Sequence, residues 1–166
     1  MNSLMAENNK ENLKIQLELF ADFWKRPPSA KIMINDKVHF DGVVEGTNQK
    51  PTLVEFTHEC ENDKQYELII ERSGKDKYQT VLDQGKIVKD QLLHIKTIIV
   101  DDIELGTLIY EGEYIPKYPE PWASQQKKSG NDLPVSFKNV TTLGHNGTWK
   151  LPFTSPFYMW LLENLY

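Results

Sequence analysis

Near the start of the chain Ile15, Leu17 and Leu19 alternate with Gln16 and Glu18. A hydrophobic period of two marks a half-buried strand. The pattern runs on into Phe20, Phe23 and Trp24 and stops at Pro27-Pro28, where proline removes the ladder donors. Ile32 and Ile34 alternate next, Asn35-Asp36 reads as a tight turn, and Val38 and Phe40 resume the alternation, so 31–44 predicts a hairpin with Asp41-Gly42 as a second turn or bulge signal. Leu53-Val-Glu-Phe-Thr and Gln65-Tyr-Glu-Leu-Ile-Ile-Glu come after it, separated by an acidic loop. The segment from Ser73 to Gly85, rich in Gly, Asp, Lys and Gln, reads as a long loop. Leu93 to Leu105 then has the density of β-branched residues that favours strands, with Asp101-Asp102 as an internal turn.

The texture changes after Tyr110. Tyr114-Ile-Pro-Lys-Tyr-Pro-Glu-Pro-Trp is punctuated by proline and predicts a surface crossing rather than a central strand. Residues 123–132 read as a polar linker, and 135–140 and 148–153 as short strands. The one helix predicted is at the end, with Ser155 as its N-cap and Pro156 in its first position. About seven strands at short spacing, with no helical period between them, predict a mainly β fold. It is an antiparallel, jelly-roll-like β-sandwich with a short C-terminal helix. The expected organisation is a flexible arm over 1–12, one sandwich domain over 13–154 and an apolar helix over 155–166.

Length and composition narrow this only slightly. The 166 residues suit one domain, since domains cluster near ~100–150 residues. With 39% hydrophobic and 26% charged residues, the composition is globular rather than disordered. A net charge of −5 without any basic block argues against nucleic-acid binding, which depends on clustered Lys and Arg. Cys60 is the single cysteine, so an intrachain disulfide and a four-cysteine zinc site are both excluded. The polar stretch from Met1 to Lys14 does not read as a signal peptide, and no stretch approaches the ~18 apolar residues of a membrane span.

Candidate chemistry is sparse. Asp101, Asp102 and Glu104 cluster, as do Glu59, Glu61 and Asp63, and a calcium loop needs several such oxygens. Neither cluster has EF-hand spacing, so no cofactor is expected, with calcium as the one alternative. His39, His58, His94 and His145 are scattered without metal-ligand spacing, and His39 and His94 fall on solvent-facing strand positions. No phosphate loop or nucleophile elbow occurs, and the chain does not read as an enzyme. Trp24 and Trp122 are candidates for a ligand face, because aromatic rings stack on sugars, although large aromatics more often fill a core. The C-terminal stretch is apolar almost all round, and a helix of that kind must be covered. Tyr158, Trp160, Leu161, Leu162, Leu165 and Tyr166 are therefore candidates for docking on a partner, or for packing on the chain's own sandwich.

Several motifs carry a resemblance: Phe23-Trp24-x-x-Pro27-Pro28, Ile34-Asn-Asp-Lys, Phe40-Asp-Gly, Thr80-Val-Leu-Asp, Tyr114-x-Pro116-x-Tyr118-Pro-Glu-Pro-Trp, Gly144-x-Asn146-Gly147-x-Trp149 and Trp160-Leu-Leu-Glu. Together these resemble a family of small proteins of large tailed bacteriophages, especially those of marine bacteria. That resemblance implies a non-enzymatic virion protein, made in the host cytoplasm, that decorates a capsid or belongs to a tail or baseplate. Its partners would be other virion proteins or further copies of itself. A weaker resemblance, carried by the strand-rich half with Ile98-x-Val100-Asp-Asp-Ile103, is to calcium-dependent carbohydrate-binding modules. It implies the alternative function of attachment to host-surface glycans. Neither resemblance implies a nucleic-acid or membrane partner.

Overall fold

Strict alternation builds the longest strand, β1 (Lys10–Asp22), in which Leu13, Ile15, Leu17, Leu19 and Ala21 are buried while Lys14, Gln16 and Glu18 point away from the core. The computed structural model describes residues 9–165. Strands β2 (Ser29–Ile34), β3 (Lys37–Val43), β4 (Thr52–Glu61) and β5 (Gln65–Ser73) come next. A small hairpin, β6 (Val81–Asp83) with β7 (Lys86–Lys89), precedes β8 (Leu92–Val100) and β9 (Ile103–Glu104). A 3-10 turn (Gly106–Glu111) leads to β10 (Glu113–Pro116) and helix α1 (Trp122–Lys128). The chain continues through β11 (Phe137–Lys138), β12 (Thr142–Leu143), β13 (Gly147–Thr154) and helix α2 (Phe157–Leu165).

Apart from the two-stranded β6–β7 pair, the strands form two antiparallel sheets. One has the order β12-β8-β1-β4, with β9 also on β8, and the other β11-β10-β13-β5-β2-β3. A single core draws Leu13, Leu17, Leu93 and Ile98 from the first and Ile32, Ile70, Trp149 and Leu151 from the second, which makes the fold an antiparallel β-sandwich. Trp149 is fully buried. It fits because its neighbour is Gly112, where a Cβ would stand 2.4 Å from the indole.

Register sorts the connections into two ends. Asp22 faces Leu92, Ser29 faces both Ser73 and Val43, and Gly147 faces both Arg72 and Pro116. Segments 23–28, 44–51, 74–91 and 144–146 therefore gather at one end, and 117–136 sets out from it. The opposite end holds the Asn35-Asp36 turn, the 62–64 turn and α2.

Several sequence expectations change. Lys10–Asn12, expected in a flexible arm, belong to β1 and pair with Glu59–Glu61; residues 1–8 lie outside the described residues. β3 runs straight through Asp41-Gly42, and the bulge falls between Ile32 and Met33 instead. The expected long loop over 73–85 contains β6. Glu113–Pro116 is not a surface crossing: it lies between β11 and β13, and the ladder ends at Pro116 because proline supplies no donor. Part of the expected linker over 123–132 is α1, so helix is not confined to the end of the chain. The first free amide of α2, that of Phe157, is capped by Glu11 Oε2 at 2.7 Å and not by Ser155, whose hydroxyl is itself bonded to Glu11. A carboxylate at a helix N-terminus satisfies an orphan donor and complements the dipole.

Candidate functional site

Strand alternation decides which polar groups reach solvent beside α2. On β5, Leu68 and Ile70 face the core, so Gln65 and Glu67 face out; on β13, Pro152 and Thr154 do the same. α2 brings Trp160 and Asn164 alongside, and the end of the 3-10 turn and β11 add Glu111 and Lys138. Together they enclose a groove of about 600 Å³. On the core side of the same strands Tyr66 stacks on Phe153 at 5.7 Å between centroids, and Phe153 meets Trp160 edge-on at 6.4 Å. Asn35, at φ 51°, closes one rim by donating to Glu67 O at 3.0 Å and accepting from Glu67 N at 2.9 Å. Asn tolerates that left-handed backbone better than most residues. Among the described residues the side chains of Gln65, Glu67, Glu111 and Lys138 make no intramolecular hydrogen bond or ion pair, so their polar groups are open to a ligand.

This aromatic row continues along the edge of the sandwich. His58 meets Tyr66 edge-on, and His39 stacks on Phe56 at 4.1 Å. His39 Nε2 and His58 Nδ1 lie 2.9 Å apart, one ring donating and the other accepting. The expectation of a solvent-facing His39 therefore fails: the bulge in β3 turns it toward β4. Burial holds both imidazoles below their ordinary value, aided by His58 and Lys37 for His39, and by Lys37 against Glu59 for His58. His94 lies on the outer face of its sheet, held by Asp22 at 2.8 Å and Thr142 at 2.9 Å.

The loop end is built differently. Arg72 is 1% exposed, and its guanidinium donates to Asn146 Oδ1 at 2.9 Å and to Gln91 O at 2.5 Å. Burial pushes it down to about 10, with Tyr114 and Asp90 opposing. Asp90 pairs instead with Lys75 at 2.8 Å. Burial alone would raise the Asp90 carboxyl, but hydrogen bonds from Lys75, Thr80 and the Gln91 amide outweigh it and hold the group below the usual carboxylate range. Gln91, fully buried, ties Arg26 O and Gly74 O into the same network.

Above it, Trp122 is 37% exposed and packs on Tyr118 at 6.0 Å and on His145 at 5.5 Å. Trp24 is half-buried. Its indole donates to Gln79 O at 2.9 Å, and Lys25 and Lys89 lie over its ring at 4.5 and 4.4 Å, so it does not present the bare stacking face expected of it. Lys25 reaches back over Trp24 because its φ is 66°, a conformation that costs roughly 1–2 kcal/mol in a residue with a side chain.

The remaining candidates separate. Trp160 and Leu161 are buried with Phe157 against the sandwich, while Tyr158, Leu162 and Leu165, joined by Met159, stay on the outer side of α2; Tyr166 lies outside the described residues. Asp101 and Asp102 form the β8–β9 turn at φ 48° and 64°, and Asp101 Oδ1 accepts from Lys14 N at 2.9 Å. Among the described residues no three His, Cys, Asp or Glu side chains converge to hold a metal. Cys60 is buried and its thiol is pushed up to about 12 by burial and by Glu11, which removes it as a nucleophile. Sequence reading misses the groove because Gln65-Tyr-Glu is legible as strand, while its neighbours across β13 and α2 are not.

Comparison with known proteins adds little. No family model matches the chain, and no curated protein matches it. Two solved structures do. One is vCBM60 in complex with galactobiose, at 9% identity and a TM-score of 0.44, covering 82% of this chain and 95% of that one. The other is a selenomethionine form of vCBM60, described as part of a circular-permutation link between two families of calcium-dependent carbohydrate-binding modules. It matches at 9% identity and a TM-score of 0.45, covering 83% of this chain and 88% of that one. Nothing in these comparisons supports the phage family that the sequence resembles.

Proposed function

We propose that the protein is a non-catalytic glycan-binding module and that the groove beside α2 takes a neutral oligosaccharide. One observation carries this reading: the groove beside α2 is lined by the unclaimed polar side chains of Gln65, Glu67, Glu111 and Lys138. A sugar ring has an apolar C–H face and a rim of hydroxyls that both donate and accept. Amide, carboxylate and ammonium groups lining the groove match the hydroxyl rim. At about 600 Å³ the groove has the size of a small-ligand cleft, about 300–1,000 Å³.

Titration calorimetry against a panel of hexose and pentose oligosaccharides tests the reading. At least one should bind, and Gln65→Ala with Glu67→Ala should weaken it tenfold or more at unchanged melting temperature. Absence of binding across the panel overturns the glycan reading, and new reducing ends would overturn the non-catalytic one.

The outer face of α2 favours a second reading. Tyr158, Met159, Leu162 and Leu165 leave an apolar strip uncovered, and such strips mark protein contacts. On this reading the chain docks on another copy or on a further virion component, as a structural or decoration protein. Native mass by light scattering decides it: an oligomer that Leu162→Glu with Leu165→Glu dissolves supports docking, and a monomer rejects self-assembly.

A further inference from the structure

We infer that the loop end carries a second site, centred on Lys25, Trp24 and Lys89, that binds an anionic saccharide bearing carboxylate or sulfate groups. It goes beyond the groove reading and lies at the other end of the sandwich, since Trp24 precedes β2 and Asn35 comes after it.

The argument begins with charge. The chain is acidic overall at −5, yet the loops gathered at this end are rich in cations: Lys25, Arg26, Lys75, Lys77, Lys86 and Lys89 stand against Asp76, Asp83 and Asp90 within 23–28 and 74–91. Arg26 is matched by Asp76 at 3.6 Å. Among the described residues Lys25, Lys77 and Lys89 have no carboxylate within ion-pair distance; each is held on an aromatic ring instead. Lys25 and Lys89 share Trp24, at 4.5 and 4.4 Å from its ring. Lys77 lies over Tyr78, a ring that is 65% exposed, at 5.2 Å.

The left-handed backbone at Lys25 makes this placement costly. A second observation is independent of these lysines. Arg72, buried beneath the same loops, has only neutral acceptors in Asn146 Oδ1 and Gln91 O, and its Nε has no partner. A buried guanidinium that no carboxylate contacts, with Asp90 acting on it only from a distance, raises the local potential. It communicates with the surface through Gln91, whose amide holds Arg26 O and Gly74 O.

The site therefore offers an anion a pair of ammonium groups backed by a buried charge, and offers a sugar ring the exposed face of Tyr78. Three ammonium groups are few for a nucleic acid, whose affinity grows with roughly 6–10 phosphate contacts. They suit a polymer that carries one acid group per sugar or two.

Affinity electrophoresis of the full chain at low salt tests this with polygalacturonate, dextran sulfate, neutral dextran and a single-stranded oligonucleotide. One or both acidic polymers should retard the protein, neutral dextran should not, and added salt should abolish retardation. The polymer that acts distinguishes carboxylate from sulfate recognition. Lys25→Gln with Lys89→Gln should weaken retardation at least tenfold at unchanged melting temperature. If that pair lowers the melting temperature, Lys77→Gln, on an exposed loop, should still weaken it severalfold. Gln65→Ala with Glu67→Ala should leave it intact, so loss of groove binding and loss of this site read out separately. The inference is overturned if neither acidic polymer retards the protein. It is equally overturned if the lysine variants run as wild type, if the groove variant abolishes retardation, or if the oligonucleotide binds as tightly as the polysaccharides.

Discussion

The pair His39–His58 joins the two sheets at one edge, and its protonation sets a measurable pH dependence. In the neutral pair one ring donates to the other across 2.9 Å. A second proton leaves two donors facing each other. With centroids 5.1 Å apart, two unit charges repel by about 3 kcal/mol at an effective dielectric constant near 20. Both rings are partly open to water, so screening reduces this to about 1 kcal/mol. The sign comes from the direction of the shifts. Both folded values lie below the 6.5 of the free side chain, so the unfolded chain takes up protons first as pH falls. The stabilisation is complete above 6.5 and disappears as pH falls through the lower folded values. Urea denaturation of wild type and His58→Gln at intervals from about pH 7.5 to about pH 5 spans the window around the free imidazole. Glutamine keeps a hydrogen-bonding partner for His39 but takes up no proton. The lowered value of His145, caused by burial and then by Lys75 and Arg72, is common to both proteins and cancels. The stability difference between them should shrink by about 1 kcal/mol toward acid. A difference that stays constant across the range would refute the reasoning.

Two further predictions concern the frame that holds the sites. Gly112→Ala places a methyl group 2.4 Å from the buried Trp149 ring and should cost about 3 kcal/mol, read as a fall in melting temperature; a change below about 0.5 kcal/mol would show that the indole is not packed there. Glu11→Ala removes the acceptor for Phe157 N–H and should cost about 1–2 kcal/mol with loss of near-ultraviolet signal from Trp160, whereas Glu11→Gln should retain most of both; equal losses in the two variants would rule out the cap.

The parts of the fold that are legible in the sequence are those governed by local period. β1 is clear because Leu13 through Ala21 alternate without a break, and β13 because Thr148–Phe153 does nearly the same. Short elements are not. β6 and β7 lack a buried face, so Leu82, Ile87 and Val88 give no inside-outside contrast to read. α1 is seven residues with only Ala123 buried, too short for a helical period. β10 reads as a surface crossing because prolines flank a strand whose register with β13 is set from outside it. The apolar character of α2 is plain, but not which side meets the sandwich: Trp160 and Leu161 turn in while Tyr158 and Leu165 turn out. Contacts such as His39 with His58, or Arg72 with Asn146, join residues far apart in the chain and leave no trace in spacing.

β4 ends its sheet, so ten residues of backbone present an unpaired ladder to solvent. Glu55 and Glu59 project from its outer face and hold Lys14 and Lys10 at 3.7 and 3.1 Å. A second molecule approaching to extend the ladder in antiparallel fashion would bring its own row of glutamates beside these on the same solvent face, where like charges across the new strand pair oppose it. The row of glutamates thus disfavours growth of the sheet from this edge.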